Sequence, residues 1–146
     1  PTTKVRSMIN TAFFLPAFAM VLLTFCVMIR MLTGRIAEMK ANNIHPQSIA
    51  TSAALIAKMP DTRASDNFRN LFETPVLFYA AMLFAQATSQ AGQVLLALAW
   101  LYVVLRVVHS IIQCSYNKVM HRFYVFFTSV WVLLGIWVML AVGYIR

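Results

Sequence analysis

The feature that most constrains this chain is a series of long apolar stretches. There are four: Thr11 to Leu32, Phe68 to Ala87, Gln93 to Ile112 and Phe123 to Ile145. Each reaches the ~20 residues that a helix needs to cross the hydrocarbon of a bilayer. Backbone in lipid must satisfy its own hydrogen bonds, so these stretches are expected as helices. The expected fold is all-α: an integral membrane four-helix bundle, one four-span domain over residues 1–146 with a polar loop at 33–67. Composition excludes a water-soluble alternative. Hydrophobic residues make up 61% and charged residues 11%, where soluble domains run at about 45–50% and about 25%.

Charge supplies direction. Twelve Lys+Arg against 4 Asp+Glu leave a formal +8. Such an excess suits nucleic acid or an anionic membrane face; this hydropathy selects the membrane, and no nucleic-acid partner is expected. Arg30, Arg35, Lys40, Lys58, Arg63, Arg69, Arg106, Lys118 and Arg122 gather toward one end of the bundle, with Lys4, Arg6 and Arg146 at the other. The positive-inside rule then predicts cytoplasmic first and third loops, with both termini outside. Lys4 and Arg6 lead into a stretch too long for a signal-peptide core, so no secretory signal is expected.

Between the first two spans, Pro46 through Ile56 reads as one short helix ended by Pro60 and Asp61. It is either interfacial or an ordinary loop helix. Thr88–Gly92 is so short a link that the second and third spans must form an antiparallel hairpin. Cys26 lies mid-membrane and Cys114 near a boundary, which reads as two buried thiols rather than a disulfide.

Ionisable groups cost at least ~2.5–3.5 kcal/mol at the bilayer centre and therefore demand partners. The second span opens Asp66-Asn67-Phe68-Arg69-Asn70-Leu71-Phe72-Glu73-Thr74-Pro75. Arg69 and Glu73 share a helix face and can pair; Asn70 borders that face. Arg106 and His109 share a face of the third span. Counted from the hairpin turn, Glu73 and Arg106 each lie about 16–17 residues away, or roughly 25 Å along the helix. Antiparallel neighbours bring them to one depth. Asn70 and His109 fall about one turn further, beside Arg69, and Arg122 opens the fourth span at the same boundary. The plain reading is a structural Glu73–Arg106 ion pair. It leaves Arg69, His109 and Arg122 unexplained, and a surplus of cations suggests an anion site for a lipid headgroup or a soluble cofactor. No metal is expected, since His109, Cys114 and His121 match no common zinc spacing.

This combination resembles the MAPEG family, the membrane-associated proteins of eicosanoid and glutathione metabolism. Arg69-Asn70-x-x-Glu73 with Pro75 is similar to the family's Asn-x-x-Glu signature with a nearby proline. Arg106-x-x-His109 resembles its Arg-x-x-His element, and Arg122 falls where the family keeps an arginine. The resemblance covers nearly the whole chain and is nearest the bacterial-type members, which implies a bacterial inner membrane. It implies a homotrimer with glutathione as cofactor, bound between subunits from the cytoplasmic side by Arg69, Asn70, Glu73, Arg106 and His109. Arg122 would be the catalytic group, favouring the thiolate. The implied activity is a glutathione-dependent transferase or peroxidase acting on a lipophilic electrophile. Phe123 and Phe126 stand where better-known eicosanoid members carry polar or tyrosine residues. Gln113 stands about where a tyrosine is common, and Asp66 where a basic residue is. These departures keep a second reading open: a non-catalytic MAPEG-like structural or accessory subunit, with other membrane subunits as partners.

Overall fold

The computed structural model describes residues 12–145, and every regular element among them is helical. Helix α1 (Leu15–Ala41) starts with Pro16 in its first turn, where a missing N–H removes no bond. It runs past the expected end at Leu32 and stops where Asn43 turns the chain through a left-handed φ of 51°. The Pro46–Ile56 segment, expected as one helix, is two: a 3-10 turn at Pro46–Ile49 and α2 at Ser52–Lys58. Thr51 explains the break. Its extended backbone lets its side chain accept the Ala54 N–H at 3.2 Å, and a residue capping one helix cannot continue another.

The second apolar stretch also departs from expectation. Instead of one helix it forms α3 (Arg63–Asn70) and α4 (Thr74–Ala87), with Leu71, Phe72 and Glu73 between them. Pro75 is the cause, since it offers no N–H to Leu71 and its ring crowds that carbonyl. The backbone tightens into three-residue turns there, Phe72 N–H to the Arg69 carbonyl (2.9 Å) and Glu73 N–H to the Asn70 carbonyl (3.4 Å). Helices α5 (Gln93–Cys114) and α6 (Val119–Ile145) complete the chain. Three helices, α1, α5 and α6, are long and apolar enough to cross a membrane. Helix α4 has 14 residues, or about 21 Å of rise against a hydrocarbon core of about 30 Å.

The hairpin link falls at 88–92 between α4 and α5. Ser89 adopts a left-handed φ of 55°, and the Gln90 N–H closes back on the Ala85 carbonyl at 2.8 Å. Gly143 lets the Gln90 carboxamide pack against α6, where a Cβ would push that flexible side chain aside. Helix α6 packs along α5 and α4, while α1 crosses α3, α4 and α5. Met20, Phe78, Ala81, Ala85, Ala99 and Ile136 are buried without residue, and Phe78 stacks on Tyr102 at 4.7 Å. The outer faces carry Phe18, Leu22, Leu83 and Val104. Lipid tails are as apolar as this core, so the exposed surface costs nothing in a bilayer.

At the loop end, Arg63 grips Asp61 through Nε to Oδ1 (2.9 Å) and Nη2 to Oδ2 (2.8 Å), and its Nη1 donates to the Ser115 carbonyl. The start of α3 is thereby tied to the end of α5. The side-chain bond from Arg63 is the main cause that lowers the Asp61 carboxyl from 3.8 to about 2. A folded-state value below the unfolded one stabilises fully above about pH 4 and is lost as pH falls toward 2. Both groups are nearly half exposed, so screening keeps the effect of Asp61→Asn below about 1 kcal/mol. Thermal melts in detergent should show the small gap between wild type and variant closing over that pH range.

Candidate functional site

The polar chemistry is organised by the broken helix. In an unbroken α-helix the Asn70 carbonyl would accept the Thr74 N–H; here the break leaves it within reach of α5, and Arg106 Nη2 donates to it at 3.2 Å. Around this contact α3 and α4 are laced to α5 by side chains. Ser110 Oγ donates to Asn67 Oδ1 (3.2 Å), and Asn67 Nδ2 donates to Cys114 Sγ (3.3 Å). Asn70 Nδ2 donates to Gln113 Oε1 (3.1 Å), and the Tyr102 hydroxyl donates to Thr74 Oγ1 (3.3 Å). Asn67 is fully buried, and both ends of its carboxamide are used. Asn67→Ala leaves the Ser110 hydroxyl without its acceptor, at an expected cost of about 2–3 kcal/mol. Ser110→Ala should cost about 1 kcal/mol by the same denaturation measurement.

Arg106 is 0% exposed and His109 2%. Yet Arg106 Nε and Nη1 and His109 Nδ1 have no hydrogen-bond partner among the described residues. Orphaned polar atoms this deep are rare in native proteins, and water, an ion, a ligand or a neighbouring chain can each complete them. The Phe126 ring lies 5.5 Å from the Arg106 guanidinium carbon and 5.7 Å from the His109 ring. Beside them a cleft of about 220 Å³ is lined by Asn70, His109, Val119, Arg122, Phe123 and Phe126. Arg122 is fixed at its edge, with Nη1 donating to Asn117 Oδ1 at 2.8 Å. Asn117 can reach it because its own backbone is left-handed, at φ 48°.

The fold thus brings Asn70, His109 and Arg122 to one cleft, and Arg106, which does not itself line it, lies against Asn70 and Phe126, which do. It does not bring the other two candidates there. The Glu73–Arg106 ion pair is absent; among the described residues the ion pair within 4 Å is Asp61–Arg63. Depth-matching assumed a continuous second helix. The break sets Glu73 at φ −95°, ψ −99° with its side chain exposed, and Arg106 turns to the Asn70 carbonyl instead. The same break removes the Arg69–Glu73 pairing, since α3 ends at Asn70 before the four-residue step is complete. Arg69 is exposed and lines a separate pocket with Arg35, Asp61 and Asp66. Asn67, Ser110 and Asn117 are site residues that the charge pattern does not single out. Asn67 was legible as three residues before Asn70 on one face, and Asn117 as a turn-forming residue before α6.

No group of three or more His, Cys, Asp or Glu capable of holding a metal occurs among the described residues. Compared with known proteins, the chain matches the MAPEG family model over residues 13–142. Neither a curated protein nor a solved structure matches it. The family match takes in the broken α3–α4 segment, α5 with Arg106 and His109, and α6 with Arg122, and the chain belongs to the MAPEG family.

Proposed function

We propose that the cleft binds glutathione and presents its thiolate to a lipophilic electrophile, in a transferase or peroxidase reaction. The observation that carries this reading is the set of buried orphan donors: Arg106 Nε and Nη1 and His109 Nδ1 lie beside a cleft edged by a third cationic residue. An anionic tripeptide supplies the acceptors they lack. Arg106, His109 and Asn70 would hold it, with the exposed Glu73 available to its amine. Arg122 would sit near the sulfur, where a cation favours the thiolate. The protein's part is positioning and a fixed positive field. In this reading α3 and α4 together make a fourth crossing, with the loop end of the bundle in the cytoplasm of a bacterial inner membrane. Arg69 lines a different pocket, so it would reach the ligand only from a neighbouring subunit of a homotrimer. The exposed Val119 and Phe123 at the cleft rim suit such a neighbour.

One feature favours the alternative, a non-catalytic accessory subunit: the Phe126 ring covers the very groups that would take the ligand. Calorimetry on the detergent-purified protein separates the two. Binding of glutathione that weakens in Arg122→Ala and Glu73→Ala supports the enzyme. No heat at millimolar glutathione, together with co-purification of a fixed membrane partner, supports the accessory subunit.

A further inference from the structure

Phe126 stands between the cleft and the donors that a ligand in the cleft would use. Arg106 does not line the cleft, whereas Phe126 does, and the Phe126 ring lies 5.5 Å from the guanidinium carbon. The same ring meets the His109 ring at 5.7 Å and 50°. Against it, Arg106 Nε and Nη1 and His109 Nδ1 are buried without a partner among the described residues. An aromatic face attracts a guanidinium but accepts none of the short, directed bonds that a carboxylate accepts. It is a weak occupant of a place built for a stronger one.

The ring is also held more loosely than its neighbours. The Asn70 carboxamide is tied to Gln113 and the Arg122 guanidinium to Asn117, both by hydrogen bonds. The half-buried, apolar Phe126 side chain is kept in place by packing. Its backbone is fixed, since the fully buried Ser129 donates its Oγ to the Phe126 carbonyl at 2.6 Å. Exchange between the two χ1 rotamers that a helix favours moves the ring while α6 stays where it is.

We infer that Phe126 is an aromatic gate, closed over Arg106 and His109 when the site is empty and displaced when a carboxylate of glutathione reaches them. The inference rests on the glutathione reading of the cleft and adds the residue that sets its affinity. The apparent Kd of a site that must first open is the intrinsic Kd divided by the open fraction. A cation–ring contact of ordinary strength leaves the open form at about one part in three to one in thirty. Removing the ring should therefore tighten binding, where removing a residue that merely shaped the cleft would weaken it. An apolar molecule arriving from the bilayer offers those donors nothing, so it leaves the gate shut.

The test uses full-length protein in lipid nanodiscs. Glutathione affinity is measured by calorimetry, and diethyl pyrocarbonate labelling of each histidine without ligand is read by mass spectrometry. Phe126→Leu keeps the apolar bulk and removes the ring face. It should bind glutathione about three- to thirtyfold more tightly. Labelling of His109, referred to the exposed His45 and His121, should quicken by a similar factor. Phe126→Trp presents a stronger face to the cation, should weaken binding, and stands in if Phe126→Leu does not fold. Phe84→Leu loosens aromatic packing against Trp137 and Tyr144, away from the cleft, and should change neither readout. If wild type binds glutathione and Phe126→Leu binds it no more tightly, the gate is overturned and the glutathione reading stands. If no form binds glutathione, that reading falls and labelling alone decides the gate: faster labelling of His109 keeps it, and unchanged labelling overturns it.

Discussion

Replacing Arg106 with methionine should abolish glutathione binding while leaving the ligand-free protein as stable as before, or more so. The guanidinium is fully buried and makes one hydrogen bond, to the Asn70 carbonyl, with Nε and Nη1 unpartnered. A buried charge with no ion pair is an expense to the fold, and the nearby Glu73 carboxylate, beyond ion-pair distance, offsets it only in part. The Phe126 ring offsets only part of this, since a cation over an aromatic face contributes about 0.5–2 kcal/mol. Ligand binding behaves in the opposite way. Hydrogen bonds to a charged group contribute about 1.5–3 kcal/mol each, so losing two should weaken Kd more than about a hundredfold. Melting curves with and without saturating glutathione read both quantities. The variant's ligand-free Tm should equal or exceed wild type, and the glutathione-induced rise should vanish. A variant losing several kcal/mol of ligand-free stability would instead show the charge to be paired within the membrane assembly.

The second large effect is expected at Arg122. Removing a cation from beside a thiol raises the thiol's pKa toward its ordinary value of about 8.5, so less thiolate is present at neutral pH. Arg122→Ala should lower kcat at pH 7 about ten- to a hundredfold, with the rate recovering as pH rises toward 9. A residue that only packed the cleft would lower the rate without moving the profile along the pH axis. Asn117→Ala frees the guanidinium that its carbonyl oxygen holds at 2.8 Å and should cost a few-fold in kcat, with a smaller shift of the same sign. A chloro-dinitro-aromatic acceptor is sufficient for both measurements.

How much of this was legible in the sequence follows from which interactions are local. The first, third and fourth apolar stretches and the hairpin at Thr88–Gly92 come from helical spacing and link length, and the structure has long helices and a tight turn there; Arg106 and His109 fall together on the buried face of α5. The break between α3 and α4 does not follow from the apolar pattern; it follows from Pro75, read as a helix breaker rather than as a family marker. Once it breaks the helix, Glu73 rotates away from α5, and the expected ion pair gives way to a contact with a backbone carbonyl, which carries no side-chain signature. The lacing of Asn67 to Ser110 and Cys114 was invisible for a similar reason: each residue is common, and only the packing of α3 on α5 gives the set its meaning. Arg69 belongs to the cleft only through its four-residue spacing from Glu73, and that spacing counts only while one helix runs through both residues.

The interruption at Leu71–Glu73 has a consequence for how far this site can drift. A single codon change at Pro75 to a helix-forming residue would let the ladder run through, and the Thr74 amide would claim the Asn70 carbonyl that now serves Arg106. Arg106 would then compete for its one acceptor with a full helix bond in place of the long Glu73 N–H contact of 3.4 Å. The proline and the arginine are therefore a coupled inheritance. Replacing both should accordingly cost less stability than the sum of the two single replacements.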